Sequence, residues 1–385
     1  MKTNWLLKID TLFVWPYLLG KFFLSKRSVK EKNRNAVLVI KLLGQGSIIR
    51  LVSFYRSKNI DTKSFTLITF DRNREICQYL QLEKVQYVSS LSIIRFIVSL
   101  FRITQFAWRL KPRCIIDLER ASYSVSCFRF LLSFMGGCKS LGFDLNPLVI
   151  KGCVHTLSAE GRTIQQLFGE TLFLFEKSYF PKSIPHPKKE IDFCKVIVNI
   201  NASDYVLGRR YPRDSFKELL VQLSRLNLSF SFYLTGSSTE HEYVQELVDD
   251  LKSKISNIHN SAVAWNWARF ANELDSCAVF ITGDSGPMHL AASKRIPTVA
   301  IWGPTQAGQF GYDYDEFCNV SLSLPCSPCF NHPKSKAYQA CNHHITCMKN
   351  LPPSQIAATV MRVIEKEKAK SNSFLKVNSV NADSP

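Results

Sequence analysis

The segment Val279-Phe-Ile-Thr-Gly-Asp-Ser-Gly-Pro-Met-His-Leu-Ala-Ala-Ser293 has the residue types that a phosphate cradle needs. Its pattern predicts a buried strand ending at Thr282, a tight glycine-rich turn, and a helix beginning near Pro287. Proline is favoured in a first helical turn, where its missing N–H costs nothing. The N–H groups and positive dipole end of such a helix suit a diphosphate, and Gly283 and Gly286 let the backbone come close to it. Asp284 would repel phosphate, so it reads as a cap for the turn or an acceptor for a sugar hydroxyl. The alternative is a generic strand–turn–helix with a capping aspartate. A second turn supports the functional reading: Thr298-Val-Ala-Ile-Trp-Gly-Pro-Thr305 is another buried strand with a Gly-Pro-Thr end.

Two further clusters could do chemistry. Cys114-Ile-Ile-Asp-Leu-Glu-Arg120 reads as a strand whose end carries Asp117 and Glu119. Two apart on an extended backbone, they point to one face. Neighbouring carboxylates raise one another's pKa and can poise one as a general base. Glu119 is therefore the candidate base, with Asp117 in support; the alternative is that both cap the strand end and pair with Arg120. Near the C-terminus, Cys326, Cys329, Cys341 and Cys347 follow a C-x2-C then C-x5-C spacing, with His332, His343 and His344 nearby. A structural zinc is the first reading, although the second pair is wider than usual ligand spacing. Disulfides are disfavoured in a reducing compartment, and an ordered loop with thiols packed as small apolar groups is the third reading.

The elements that must position these residues repeat one grammar in two halves. Strand-length apolar runs at 36–40, 65–70 and 114–118 alternate with helix-like stretches, and the pattern restarts at 196–200, 230–234, 279–282 and 298–302. Alternation of this kind implies parallel sheets covered on both faces. The segment 181–190 holds three prolines without apolar periodicity and reads as a linker. The expected organisation is an amphipathic segment over 1–32, an α/β domain over 33–182, a second over 190–366, and a frayed polar tail over 367–385. Ligands of doubly wound sheets bind at the carboxyl ends of the strands, so a central cleft faced by two such domains is the expected site.

With 46% hydrophobic and 21% charged residues, the composition is that of a globular protein. The 49 Lys+Arg against 31 Asp+Glu give a formal net charge of +18, which points to an anionic partner. Nucleic acid ranks last, because no stacking platform, zinc-finger spacing or helix-turn-helix pattern accompanies the charge. Residues 5–24 are interrupted by Lys8, Asp10, Pro16 and Lys21, so they make a poor membrane span and lack the form of a secretory signal. A helix packed on its own domain, or one lying on a bilayer, is expected there. The scattered Cys77, Cys114, Cys127, Cys138, Cys153, Cys194, Cys277 and Cys318 fit free thiols of a reducing, cytoplasmic setting. A stretch from Leu91 to Leu110 is mostly apolar, yet carries Arg95, Arg102 and Arg109 at seven-residue spacing, close to two helical turns. It reads as a core helix with a solvated edge, or as a face for anionic lipid or a phosphorylated acceptor.

The run Gly283-Asp284-Ser285-Gly286-Pro287-Met288-His289, the Ala-Ala after it and Trp302-Gly-Pro-Thr305 together resemble glycosyltransferase family 9, the heptosyltransferases of lipopolysaccharide core assembly. Asn199-Ile-Asn-Ala-Ser203 with Arg209-Arg-Tyr-Pro212 resembles the family's first donor loop. Val39-Ile-Lys-Leu-Leu-Gly-Gln-Gly-Ser47 is similar to its N-terminal glycine loop, and the Cys326–Met348 region to a C-terminal element of many members. The resemblance implies a GT-B fold of two Rossmann-like doubly wound domains. It implies inverting transfer, with no catalytic cofactor, from a nucleotide-sugar donor such as ADP-heptose to a lipid-linked saccharide acceptor. It also implies a peripheral position at the cytoplasmic face of the inner membrane, an anionic surface. Asn201, Arg209, Arg210, Asp284, Ser285, Gly286, Pro287, His289 and Thr305 would then serve the donor, and Lys41, Gly46 and Ser47 an anion or the acceptor. Arginine can grip phosphate oxygens in bidentate fashion where the family has another basic residue. The departure is Ser47, which stands where heptosyltransferases generally carry an aspartate base. A serine hydroxyl cannot act as a base unaided, so Ser47 is expected to cap the following helix and help bind an anion. The base either moves to Glu119 or is lost, which leaves a catalytically silent nucleotide-sugar-binding protein, or a transferase with another donor, as alternatives.

Overall fold

The computed structural model describes residues 36–42, 44–57, 60–119, 123–143, 154–157, 190–201, 208–329, 341 and 344–382, together with Pro16. The expected N-terminal segment, the linker before residue 190, and Arg120, Cys153, His332 and His343 lie outside the described residues. The chain divides into two compact units, residues 1–184 and 185–385.

Unit 1 is built on β1 (Val37–Ile40), β2 (Phe65–Phe70), β3 (Val85–Val88), β4 (Cys114–Asp117), β5 (Lys139–Phe143) and β6 (Val154–Leu157). Its helices are α1 (Gln45–Ser57), α2 (Arg74–Tyr79), α3 (Ile93–Leu110) and α4 (Tyr123–Gly136). The sheet order is β3-β2-β1-β4-β5-β6, and every pairing is parallel. β1, β2 and β4 are buried at every position, as strands covered on both faces must be, which is why they read as unbroken apolar runs. Leu38, Ile40, Ile68, Ile115 and Leu132 share one core cluster with Ile103 and Ala107 of α3.

Unit 2 repeats this architecture. It contains β7 (Asp192–Asn199), β8 (Ser231–Thr235), β9 (Ile258–Asn260), β10 (Cys277–Gly283), β11 (Thr298–Ile301) and β12 (Phe317–Val320). The connecting helices are α5 (Arg213–Leu226), α6 (His241–Leu251), α7 (Trp267–Leu274), α8 (Gly286–Ser293), α9 (Ala307–Phe310), α10 (Thr346–Lys349) and α11 (Pro353–Ala382). The order β12-β11-β10-β7-β8-β9 is again all parallel. Each sheet therefore reverses strand order once, between β1 and β4 in unit 1 and between β7 and β10 in unit 2. Those are the points where doubly wound sheets bind ligands.

Five strands had no counterpart in the sequence reading: β3, β5, β6, β9 and β12. They are short or outer strands, of which β6 and β3, and β9 and β12, form the sheet edges. An edge strand is buried on fewer sides, so its apolar run is weaker. The polar stretch after Glu367 is not frayed in the structure but continues α11 to Ala382. Its residues up to Ala382 contain neither glycine nor proline, and the Glu-Lys-Ala-Lys composition favours a helix even without an apolar face.

Candidate functional site

At the β1/β4 switch point, two loops leave the sheet side by side. The Lys41 Nζ donates to Glu119 Oε2 at 2.9 Å, and both side chains are buried. Lys41 follows β1 and Glu119 follows β4, so the pair bridges the reversal of strand order. The residue expected to bind an anion or the acceptor is thus held by the expected base. Asp117 lies below them, fully buried, with its Oδ1 accepting from the Glu119 backbone N–H at 2.9 Å. Burial pushes Asp117 up to about 6, against the pull of the Arg129 guanidinium and of that N–H; the charge on Glu119 is a smaller influence. The neighbouring carboxylate does raise Asp117, as expected, but desolvation is the larger cause.

Arg129 was missed in the sequence. It comes from α4, is fully buried, and its Nε lies 4.0 Å from Asp117 Oδ2. Space for it exists because Gly142, register partner of Asp117 on β5, has no side chain; a Cβ there would stand 1.7 Å from Arg129 Nη1. A lone arginine in the apolar run Cys127-Phe-Arg-Phe-Leu-Leu132 was the available signal, since a buried charge demands a partner. Ser47 does not cap a helix as expected. α1 begins at Gln45, so Ser47 sits inside its first turn with Gly46, and the Ser47 N–H donates to the Gly44 carbonyl.

At the β7/β10 switch point the expected strand–turn–helix is present. β10 ends at Gly283, Ser285 is the extended residue before α8, and Pro287 lies in the first turn. The Ser285 hydroxyl does not cap α8. Instead Asn199 Nδ2, at the end of β7, donates to Ser285 Oγ at 3.0 Å and to Thr282 Oγ1 at 3.2 Å. The two hydroxyls also meet at 3.1 Å. Neither Asn199 nor Thr282 is among the site residues expected from the sequence, although Thr282 closes the run 279–282 and Asn199 is a polar residue near the end of the run 196–200.

Asp284 is buried and accepts at Oδ2 from Arg209 Nη1 at 3.0 Å. The arginine expected on the donor diphosphate therefore also answers the question of what Asp284 binds. Arg210 points to a different set: Glu240 at 3.7 Å, with its guanidinium 4.6 Å from the centre of the Tyr243 ring. Asn201 is buried and donates to the Thr235 carbonyl at 2.9 Å. His289, also buried, meets the Tyr312 hydroxyl through Nδ1 at 3.1 Å. Thr305 is buried, and its hydroxyl has no hydrogen-bond partner among the described residues. It lines a cavity of about 490 Å³ between the Trp302–Thr305 turn and residues 321–328.

The cysteine element packs against this turn. A Cβ on Gly303 would stand 2.3 Å from Met348 Sδ and 3.2 Å from Cys347 Sγ, so only glycine admits the contact. Cys326, Cys329, Cys341 and Cys347 are free thiols. Burial raises the Cys347 thiol, and so do the neighbouring Cys329, Cys341 and Cys326. Among the described residues, no three His, Cys, Asp or Glu side chains converge as a metal ion requires.

Residues 177–339 match the family model described as glycosyltransferase family 9 (heptosyltransferase). The lipooligosaccharide heptosyltransferase 2 of Campylobacter jejuni is 29% identical over 167 residues, covering 42% of this chain and 49% of that protein. The lipopolysaccharide heptosyltransferase 2 of Escherichia coli is 28% identical over 133 residues, covering 34% and 36%. The chain thus spans half or less of the length of these curated relatives. Among solved structures, E. coli ADP-heptose lps heptosyltransferase II superposes with a TM-score of 0.59 at 15% identity, covering 86% of this chain and 99% of that one. A family 9 glycosyl transferase from Veillonella parvula gives 0.60 at 16%, covering 88% and 99%. The fold is GT-B, two Rossmann-like parallel-sheet domains in one chain. The donor-turn sequence lies inside the matched span, so it is residues 177–339 that are similar to glycosyltransferase family 9.

Proposed function

We propose that this protein is an inverting glycosyltransferase that moves a sugar, heptose from ADP-heptose, to a lipopolysaccharide core or related lipid-linked saccharide. The observation that carries the reading is the Arg209–Asp284 pair beside the first turn of α8. It sets a cation and a row of backbone N–H groups at one switch point, where a departing diphosphate needs them. Asp284, held by Arg209, and Ser285, held by Asn199, are fixed acceptors and donors for sugar hydroxyls.

In this reading unit 2 holds the donor and unit 1 serves the acceptor. The acceptor oxygen forms a bond to the anomeric carbon as the bond from that carbon to the diphosphate oxygen breaks. ADP leaves with the electron pair, and the acceptor's proton passes to Glu119. Ser47 orients rather than deprotonates. The chain works at the cytoplasmic face of an anionic membrane; no helix among the described residues is long and apolar enough to cross one. A structural zinc on Cys326, Cys329, Cys341 and Cys347 is a separate proposal of the sequence pattern, and no step runs through it. Metal analysis of the purified protein tests it: lack of stoichiometric metal removes it.

One observation favours a second reading. Glu119 is tied to Lys41 in a buried ion pair, and with Ser47 in the aspartate's place the chain could bind donor without transferring it. A screen of ADP- and UDP-sugars by nucleotide release, with a rough lipopolysaccharide acceptor, separates the two. The transferase releases ADP from ADP-heptose only when acceptor is present. Binding of donor with no release from any sugar nucleotide would establish the silent protein instead.

A further inference from the structure

Helix α3 is built the wrong way round for a helix on a water-soluble surface. Its sheet-facing side is supplied by Ser99, Ile103 and Ala107, its only buried residues. On the opposite side, Ile94 is 76% exposed, Ile97 59%, Phe101 63% and Trp108 55%. At 3.6 residues per turn these four and Val98 fall within about 100° of arc, directly away from the core. Ile93, the first residue of the helix, and Leu91 before it extend the exposed apolar surface at the N-terminal end. The neighbouring α4, which packs against α3, adds exposed Leu131, Phe134 and Met135. A contiguous face of this kind marks an interaction surface.

The charges choose the partner. Arg95, Arg102 and Arg109 are exposed and run along one margin of the apolar arc. Exposed Lys111 and Arg113 follow at the C-terminal end. From Leu91 to Arg113 there is no aspartate or glutamate, and none in Tyr123–Gly136. A two-fold contact between copies of this face would bring arginine against arginine, with no carboxylate to answer it. A bilayer with anionic headgroups offers both counterparts at once: phosphates for the guanidinium groups, and an acyl boundary for the isoleucines, Phe101 and Trp108. Since no described helix can span a membrane, the helix must lie along it.

We propose that the outer face of α3, extended by Leu131, Phe134 and Met135 of α4, is the surface by which this protein docks on an anionic lipid bilayer. The proposal deepens the reading of a lipid-linked acceptor, since it puts the acceptor's own unit against the lipid. Its test is read without turnover, so its failure and the failure of that reading are distinguishable.

The test is flotation of the full-length chain with vesicles of phosphatidylcholine alone and of phosphatidylcholine with phosphatidylglycerol, at low and high salt. Three variants accompany the wild type: Arg95→Gln/Arg102→Gln/Arg109→Gln, Ile97→Ser/Phe101→Ser, and Lys252→Gln as an exposed control in unit 2. Wild type and control should bind the anionic vesicles, lose most binding at high salt, and ignore phosphatidylcholine. The triple arginine variant should lose affinity on the order of a hundred-fold, and the apolar pair about tenfold or more. Circular dichroism melting and donor binding should stay as in the wild type, which separates lost docking from lost folding. Binding to anionic vesicles that both variants retain would overturn the proposal. Failure of the wild type to bind would overturn it too, as would a wild-type dimer that the apolar variant dissociates.

Discussion

The ammonium of Lys41 and the carboxylate of Glu119 form a buried 2.9 Å pair across 78 residues of sequence, at the point where the first sheet reverses its strand order. The first prediction concerns the carboxylate. Glu119→Gln keeps the shape and can still accept from Lys41, but cannot take a proton from an acceptor. Nucleotide release in the presence of acceptor should fall by about 10²–10⁴-fold, while donor affinity by titration calorimetry stays unchanged. Normal turnover in this variant would dismiss Glu119 as the base. Ser47→Asp, made alongside, should restore part of the lost rate.

Removing the other partner is a stability experiment. Lys41→Met takes the 2.9 Å ammonium away from the buried Glu119 carboxylate, and breaking a buried pair costs about 3–5 kcal/mol. Urea unfolding of Lys41→Met should show that loss. The double variant Lys41→Met/Glu119→Gln should recover much of it, because the buried carboxylate is then neutral.

Arg209 answers Asp284 in the resting protein, and under the proposed function it also meets the donor diphosphate. Arg209→Met should weaken ADP-heptose binding by about tenfold or more, with Arg209→Lys intermediate, because a lysine keeps the charge without the planar fork. Arg210→Met, whose side chain is engaged with Glu240 and Tyr243, should change donor affinity much less. Equal losses in the two variants would count against the assignment.

Asp117 sets a pH dependence. Burial holds it at about 6 in the folded chain, above the ordinary carboxylate value of about 3.9. The folded state therefore binds this proton more tightly than the unfolded state. Below about pH 4 both states carry it and Asp117 contributes no difference. Between about pH 4 and 6 the unfolded chain ionises first, so stability falls as pH rises, reaching a cost of about 3 kcal/mol above pH 6. Comparing urea midpoints of wild type and Asp117→Asn from about pH 4.5 to 7 isolates this slope from that of other carboxylates. The Asp117→Asn variant should show a constant loss from its weaker hold on Arg129, with no slope from this position. Parallel curves would refute the shift.

Gly142 is the simplest steric prediction. Alanine there meets the Arg129 guanidinium head-on, and a buried arginine has nowhere to retreat. Gly142→Ala should destabilise unit 1 by about 2–4 kcal/mol, visible as a lower thermal midpoint. Gly137→Ala, where a Cβ would meet nothing within 4 Å, should cost less despite its positive φ.

The fold was legible where burial is greatest. β1, β2, β4, β10, β11 and the second half of β7 are apolar runs because both faces are covered, and the sequence places each of them, and β8, within a few residues. The edge strands were not legible, since one open side removes the pattern. At the site, the turn after β10 was visible because glycine, aspartate and proline each have a backbone reason to stand there. What sequence could not give is the pairing of residues far apart in the chain. Lys41, Glu119, Arg209 and Asp284 were each singled out, but their partnership arises only when parallel strands bring distant loops to one edge. Arg129 is illegible for the same reason: it stands on helix α4, with its partner Asp117 and its glycine Gly142 on two strands of the sheet. The N-cap role expected of Ser47 failed because the helix starts earlier, at Gln45, a shift that local spacing does not control.

The long helix α11 also fixes an order of events during synthesis. Ile356, Ala357, Val360, Val363 and Ile364 belong to the same buried cluster as Val196, Val198 and Ile281, so unit 2 lacks part of its interior until α11 has left the ribosome. Unit 1 draws its described core from residues 38–138 and can close long before. At about 5–20 residues per second, unit 2 waits on the order of ten seconds or more as an incomplete sheet after its first strand emerges, with the apolar surface awaiting α11 still uncovered. A chain stopped before Pro353 should therefore yield a folded first unit joined to a sticky, protease-sensitive second one.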